Sequence, residues 1–74
     1  MISRRTEAFK KLLAALPADI RKQAKIAYKL WGSNPSHPGL RFKKIHGKEN
    51  IWSVRINENY RAVGVRKRDE IVWF

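Results

Sequence analysis

Apolar residues recur at helical spacing through the first part of the chain and in short β-like runs through the rest. Phe9, Leu12, Leu13 and Leu16 fall at i, i+3, i+4 and i+7, one face of a helix, with Lys10 and Lys11 off that face. Ser3 or Thr6 is placed to cap its start, and Pro17 ends it by removing a backbone donor. The same Pro17 suits the first turn of a second helix, with Asp19 near the positive end of its dipole. Ile20, Ala24, Ala27, Tyr28 and Trp31 form the apolar face of that helix, Gly32 is the expected C-terminal cap, and Asn34-Pro35 stops it. The opening segment is therefore expected to be a helical hairpin.

After the turn-rich stretch Ser33–Gly39 the period changes. Leu40–Ile45, Ile51–Ile56, Tyr60–Arg66 and Glu70–Phe74 read as four strands. His46–Asn50, Asn57–Asn59 and Lys67–Asp69 separate them, with lengths and residue types that suit antiparallel hairpins. The pattern predicts an α+β fold: an N-terminal helical hairpin packed on a small antiparallel β-sheet. If Asn57–Asn59 is a three-residue loop, Arg55 lies opposite Arg61, Val54 opposite Ala62 and Ser53 opposite Val63. If Ile45 and Ile51 close the preceding loop, Lys43 lies opposite Ser53 and Arg41 opposite Arg55. Side chains alternate across a sheet. Leu40, Phe42, Trp52, Val54, Ile56, Tyr60 and Ala62 then face the helices, and Arg41, Lys43, Ser53, Arg55 and Arg61 share the other face.

Composition gives that second face a meaning. The chain has 74 residues, enough for one domain spanning 1–74, and a domain of this size is marginal alone. Lys and Arg number 17 against 6 Asp and Glu, a net charge of +11. Such an imbalance opposes compactness and attracts polyanions, whether nucleic acid or an acidic protein. Like charges directly opposite each other destabilise a sheet, so an Arg41–Arg55–Arg61 row makes sense if a phosphate sits among the guanidiniums. Lys10, Lys11, Arg21, Lys22, Lys25 and Lys29 form a second basic population on the helices. The chain has no cysteine and two histidines, which excludes a disulfide framework and a thiolate metal site. No metal and no cofactor is expected. Met1–Arg5 lacks the apolar run of a signal peptide, and no apolar stretch approaches the ~20 residues of a membrane span. No membrane partner is expected, and the cytoplasm is the default location.

These residues also carry a resemblance. Leu30–Pro35, His37–Ile45, Trp52–Ile56, Tyr60–Gly64 and the closing Ile71–Phe74, in this order and spacing, resemble the RelE/ParE superfamily of bacterial toxins, from about Phe9 to Phe74. The resemblance implies the toxin of a type II toxin–antitoxin pair, neutralised by an acidic antitoxin. RelE-like members are metal-independent endoribonucleases that cut mRNA on the ribosome, and ParE-like members inhibit DNA gyrase. In RelE-like nucleases basic residues of the central strands bind the scissile phosphate, and Arg55 and Arg61 match two of them. These two are the expected catalytic residues. Arg41, Lys43, Lys44 and His46 are the expected RNA-binding residues. Ser53 falls where some relatives place a lysine. Family members usually continue past the Trp-Phe strand with a segment bearing His, Tyr or Arg. Ending at Phe74, this sequence reads as a C-terminally truncated member.

Metal-free RNA cleavage needs a base for the 2′-OH proton, cations for the phosphorane and an acid for the leaving 5′-oxygen. Arg55 and Arg61 suit the second role but not the first, because a guanidinium stays protonated. Lys43 or Lys44 could take a proton only after losing its own. His46 has suitable chemistry but lies in a turn beside Gly47. Two other readings fit the same residues: a non-catalytic RNA- or antitoxin-binding module, and a ParE-like gyrase inhibitor.

Overall fold

The computed structural model describes residues 1–45, 47 and 50–74. The chain forms β1 (Ile2–Arg5), α1 (Glu7–Ala14), α2 (Ala18–Ser33), a 3₁₀ turn (Pro38–Leu40), β2 (Lys43–Lys44), β3 (Ile51–Arg55), β4 (Arg61–Lys67) and β5 (Glu70–Trp73). The five strands make one sheet in the order β1-β5-β4-β3-β2. The β2–β5 meander is antiparallel as the alternation predicts, and the helices pack on one of its faces.

The first strand was not legible in the pattern. Ile2-Ser3-Arg4-Arg5 carries one apolar residue, yet it pairs with β5 in parallel, Ser3 beside Ile71 and Arg5 beside Trp73. Ser3 explains the docking. Its hydroxyl accepts from Trp73 Nε1 at 3.0 Å and meets the Tyr28 hydroxyl at 2.8 Å, so one small side chain joins β1, β5 and α2.

Thr6, not Ser3, caps α1. Thr6 Oγ1 accepts from the Phe9 N–H at 3.0 Å, while the Thr6 N–H donates to the Trp73 carbonyl at 3.1 Å. The cap thus fixes the helix start to the sheet. A Thr6→Ala variant is expected to lose about 1 kcal/mol. In a domain this short that lowers the midpoint of a thermal melt by roughly 4–8 °C. An unchanged midpoint would mean that the cap contributes nothing.

At the other end, α2 runs through Gly32 to Ser33, and Asn34 rather than Gly32 is its cap, donating its N–H to the Leu30 carbonyl at 2.7 Å. Gly32 has open space around it and helical geometry, so nothing there stops the helix.

The core lies between α2 and the sheet. Ile71 (0% exposed), Trp73 (1%), Leu40 (2%) and Trp31 (3%) anchor it, with Ala27, Val54 and Ala62. Trp31 meets Trp73 and Phe42 edge-on, at centroid distances of 5.4 and 5.7 Å. Gly64 lies opposite Trp73 in the register, and a Cβ there would sit 2.9 Å from the Val72 carbonyl oxygen and 3.0 Å from the Trp73 ring. Only glycine lets the indole lie this close to β4. By contrast α1 has no fully buried residue. Phe9, Leu13 and Leu16 are half-buried, and Leu12, expected on the same face, is exposed. The helix leans on the sheet without closing over it.

Candidate nucleic-acid interface

The β3–β4 loop sets the geometry of the arginines. Asn57 Oδ1 accepts from the backbone N–H groups of Asn59 (2.8 Å) and Tyr60 (3.0 Å), a side chain standing in for a turn carbonyl. Its Nδ2 donates to Gln23 Oε1 on α2 at 2.6 Å. The Ile56 N–H bonds the Tyr60 carbonyl at 3.0 Å and closes the hairpin. The resulting register pairs Arg55 with Arg61, Val54 with Ala62 and Ser53 with Val63, as the sequence pattern predicts. Register partners share a face. Val54 and Ala62 are buried in the core, so Arg55 and Arg61 stand on the face away from the helices.

Arg41 reaches them by a different route from the expected one. It is not in a strand opposite Arg55, because β2 has only two residues. Instead it ends the 3₁₀ turn in the left-handed conformation, φ 46° and ψ 45°, with its N–H on the Pro38 carbonyl. His37 Nδ1 caps the start of that turn by accepting from the Gly39 N–H at 3.1 Å. The Arg41 carbonyl accepts from Arg61 Nη2 at 3.0 Å. Arg41, Arg55 and Arg61, with Asn57 and Glu58, line one shallow depression of about 300 Å³. Asn57 and Glu58 belong to it because the tight loop folds back over the strand ends. The Asn-Glu-Asn turn signal placed the loop but not this second use.

Lys43 pairs with Ser53 and shares the arginine face, whereas Lys44 pairs with Trp52 and belongs to the helix-side face. The structure therefore brings Arg41, Arg55 and Arg61 together, puts Lys43 on the same face and separates Lys44. His46 lies outside the described residues. Among the described residues, neither Arg55 nor Arg61 makes an ion pair: Glu70 pairs with Arg4 at 3.1 Å and Glu7 with Lys10 at 3.5 Å. Nor do three or more His, Asp or Glu side chains gather there in a way that could hold a metal. Among the described residues no helix is long and apolar enough to cross a membrane. The tryptophans are not free stacking surfaces. Trp73 is buried, and the half-buried Trp52 lies under the Arg66 guanidinium at 4.5 Å.

A second concavity lies between the helices and the sheet, about 660 Å³ in volume. Phe9, Leu13, Ala27, Val54 and Trp73 wall it, and Lys10, Arg21, Lys25 and Lys29 stand along its rim. Four members of the basic population on the helices thus surround an apolar cleft that α1 leaves open.

No curated protein sequence matches the chain significantly. The ParE-like toxin domain family matches residues 18–74, from the start of α2 to the last residue of the sequence. Among solved structures, the chain is similar to one in the RelB-RelE antitoxin-toxin complex from Methanococcus jannaschii. The TM-score is 0.76 and the identity 28%, over 95% of this chain and 82% of that one. The likeness to a solved toxin chain extends over nearly the whole fold and the family match over most of it, and the chain belongs to the RelE/ParE superfamily, as the toxin component of a toxin–antitoxin system of that type.

Proposed function

We propose that this toxin is a metal-independent endoribonuclease that cuts mRNA on the ribosome, in the cytoplasm, and that an acidic antitoxin holds it inactive. The observation that carries the nuclease reading is the Arg55–Arg61 register pair, joined by Arg41 in an open depression. Two guanidiniums side by side repel each other, and no carboxylate among the described residues pairs with either. A phosphate diester placed among them turns that repulsion into binding. In the reaction the 2′-OH gives up its proton to solvent as its oxygen attacks the adjacent phosphorus, the P–O5′ bond breaks, the departing 5′-oxygen takes up a proton, and a 2′,3′-cyclic phosphate remains. The extra negative charge of the pentacoordinate species falls on the non-bridging oxygens, where fixed guanidiniums act most strongly. Lys43, register partner of Ser53, stands on the same face, and its ammonium is the group we assign to protonating the departing 5′-oxygen.

The apolar cleft supports the antitoxin half of the proposal. Its basic rim suits an acidic segment with one apolar face, and filling it would bury Phe9 and Leu13, which α1 leaves half exposed.

The family match also favours a second reading, inhibition of DNA gyrase. Purified protein incubated with translating ribosomes and a defined mRNA, in parallel with a gyrase supercoiling assay, separates the two. Transcripts cut only in the presence of ribosomes, with supercoiling unaffected, are the expected result. Intact transcripts with blocked supercoiling would establish the gyrase reading, and RNA binding without either effect would leave a binding module.

A further inference from the structure

Ser53 is the most deeply buried polar side chain among the described residues, at 2% exposure, and it sits beneath the arginine face. Its Oγ accepts two hydrogen bonds from one guanidinium: Arg61 Nε at 3.2 Å and Arg61 Nη2 at 2.9 Å. The second hydrogen of Nη2 goes to the Arg41 carbonyl at 3.0 Å. A guanidinium has five N–H donors. Three of Arg61's are thus taken by fixed acceptors, one a buried hydroxyl and the other the carbonyl of a left-handed residue. Only the two hydrogens of Nη1 are left. Arg55 is half-buried, and among the described residues its guanidinium makes no hydrogen bond, which leaves its fork unengaged by any of them.

We propose that Ser53 is a positioning residue that locks Arg61 with Nη1 as its single anion-facing nitrogen, while Arg55 supplies the bidentate grip on the phosphate. The inference rests on the reading of the depression as a phosphodiester site and adds a division of labour within it. Ser53 touches no substrate. It acts by holding a long, flexible cation in one rotamer before substrate arrives, which removes the ordering entropy from the binding step. Arg41 contributes to this lock through its backbone carbonyl, presented from the left-handed exit of the 3₁₀ turn.

The test uses Ser53→Ala, the isosteric but weakly accepting Ser53→Cys, and Ser53→Thr, which restores a hydroxyl on a strand position suited to β-branching. Two readouts are taken on the whole chain, with far-UV circular dichroism confirming the fold. The first is the Arg61 Nε–H resonance in the free protein. It is expected to be sharp and slow to exchange in wild type and Ser53→Thr, and to broaden away in Ser53→Ala and Ser53→Cys. The second is binding of a short oligouridylate across a salt series. Ser53→Ala and Ser53→Cys are expected to bind about tenfold more weakly with an unchanged salt slope, because no phosphate contact is lost. Arg55→Ala instead lowers the slope by about 0.7. A sharp Nε–H resonance and wild-type affinity in Ser53→Ala and Ser53→Cys would overturn the proposal. So would a folded Ser53→Thr that behaves like alanine. If wild type binds no oligouridylate, the phosphodiester reading fails, and the resonance alone still decides whether Ser53 anchors Arg61.

Discussion

A Trp73→Ala variant is expected to be largely unfolded at physiological temperature. Trp73 is 1% exposed and packs edge-on against Trp31 at 5.4 Å, with Phe9 at 6.5 Å on its other side. Truncating a buried tryptophan costs about 3–5 kcal/mol. A chain of this length has roughly 4–11 kcal/mol of stability in all. Its register partner Gly64 offers no side chain toward the void. The indole N–H also holds Ser3, so the variant loosens β1 together with the core. Leu12→Ala is the control: Leu12 is 65% exposed, and its truncation is expected to stay within about 0.5 kcal/mol. Urea or thermal unfolding by circular dichroism measures both. A Trp73→Ala melt within a few degrees of wild type would show that the core is carried elsewhere.

The same packing bears on the partner. The cleft beside Trp73 is rimmed by Lys10, Arg21, Lys25 and Lys29 and is only half covered by α1. An acidic chain that binds the folded state alone stabilises it by mass action. A variant destabilised away from the cleft, such as Thr6→Ala, is therefore expected to regain its melting midpoint when such a chain is added, whereas Trp73→Ala, which removes a wall of the cleft, regains less.

The meander was legible in the sequence because its signals are local. The Asn57–Asn59 turn and the alternation of Trp52, Val54 and Ile56 fix the β3–β4 register, and the arginine pair follows from it. β1 was not legible. Its partner β5 lies at the opposite end of the chain, and a parallel edge strand of four residues with one apolar side chain leaves no periodic trace. Arg41 was placed on the correct face for the wrong reason. Alternation from Phe42 read it as extended, but the Pro38-Gly39 turn chemistry carried the chain into a left-handed exit instead. Ser53 shows the remaining gap. Read by position it stood where some relatives have a lysine. Its use as an acceptor for Arg61 depends on a rotamer that no sequence spacing encodes.

The largest functional effect is expected from replacing both Arg55 and Arg61 with alanine. Removing one preorganised charge-stabilising donor costs about 10²–10³ in rate. The two guanidiniums act on one phosphate, so the double variant is expected to lose little more than the worse single one rather than the product of both. Ribosome-dependent cleavage should fall below detection, and expression of the double variant should no longer arrest growth. Stability separates this from a folding defect. Arg55 and Arg61 are register partners, so Arg55→Ala relieves a like-charge contact worth a few tenths of a kcal/mol and should melt at or slightly above the wild-type midpoint. Arg61→Ala relieves the same contact but leaves the buried Ser53 hydroxyl without its two donors, a cost of about 1 kcal/mol. Activity and stability should therefore move in opposite directions for Arg55 and together for Arg61. Full cleavage by the double variant would remove the arginine pair from the mechanism. A markedly lower melt for Arg55→Ala would make that side chain structural.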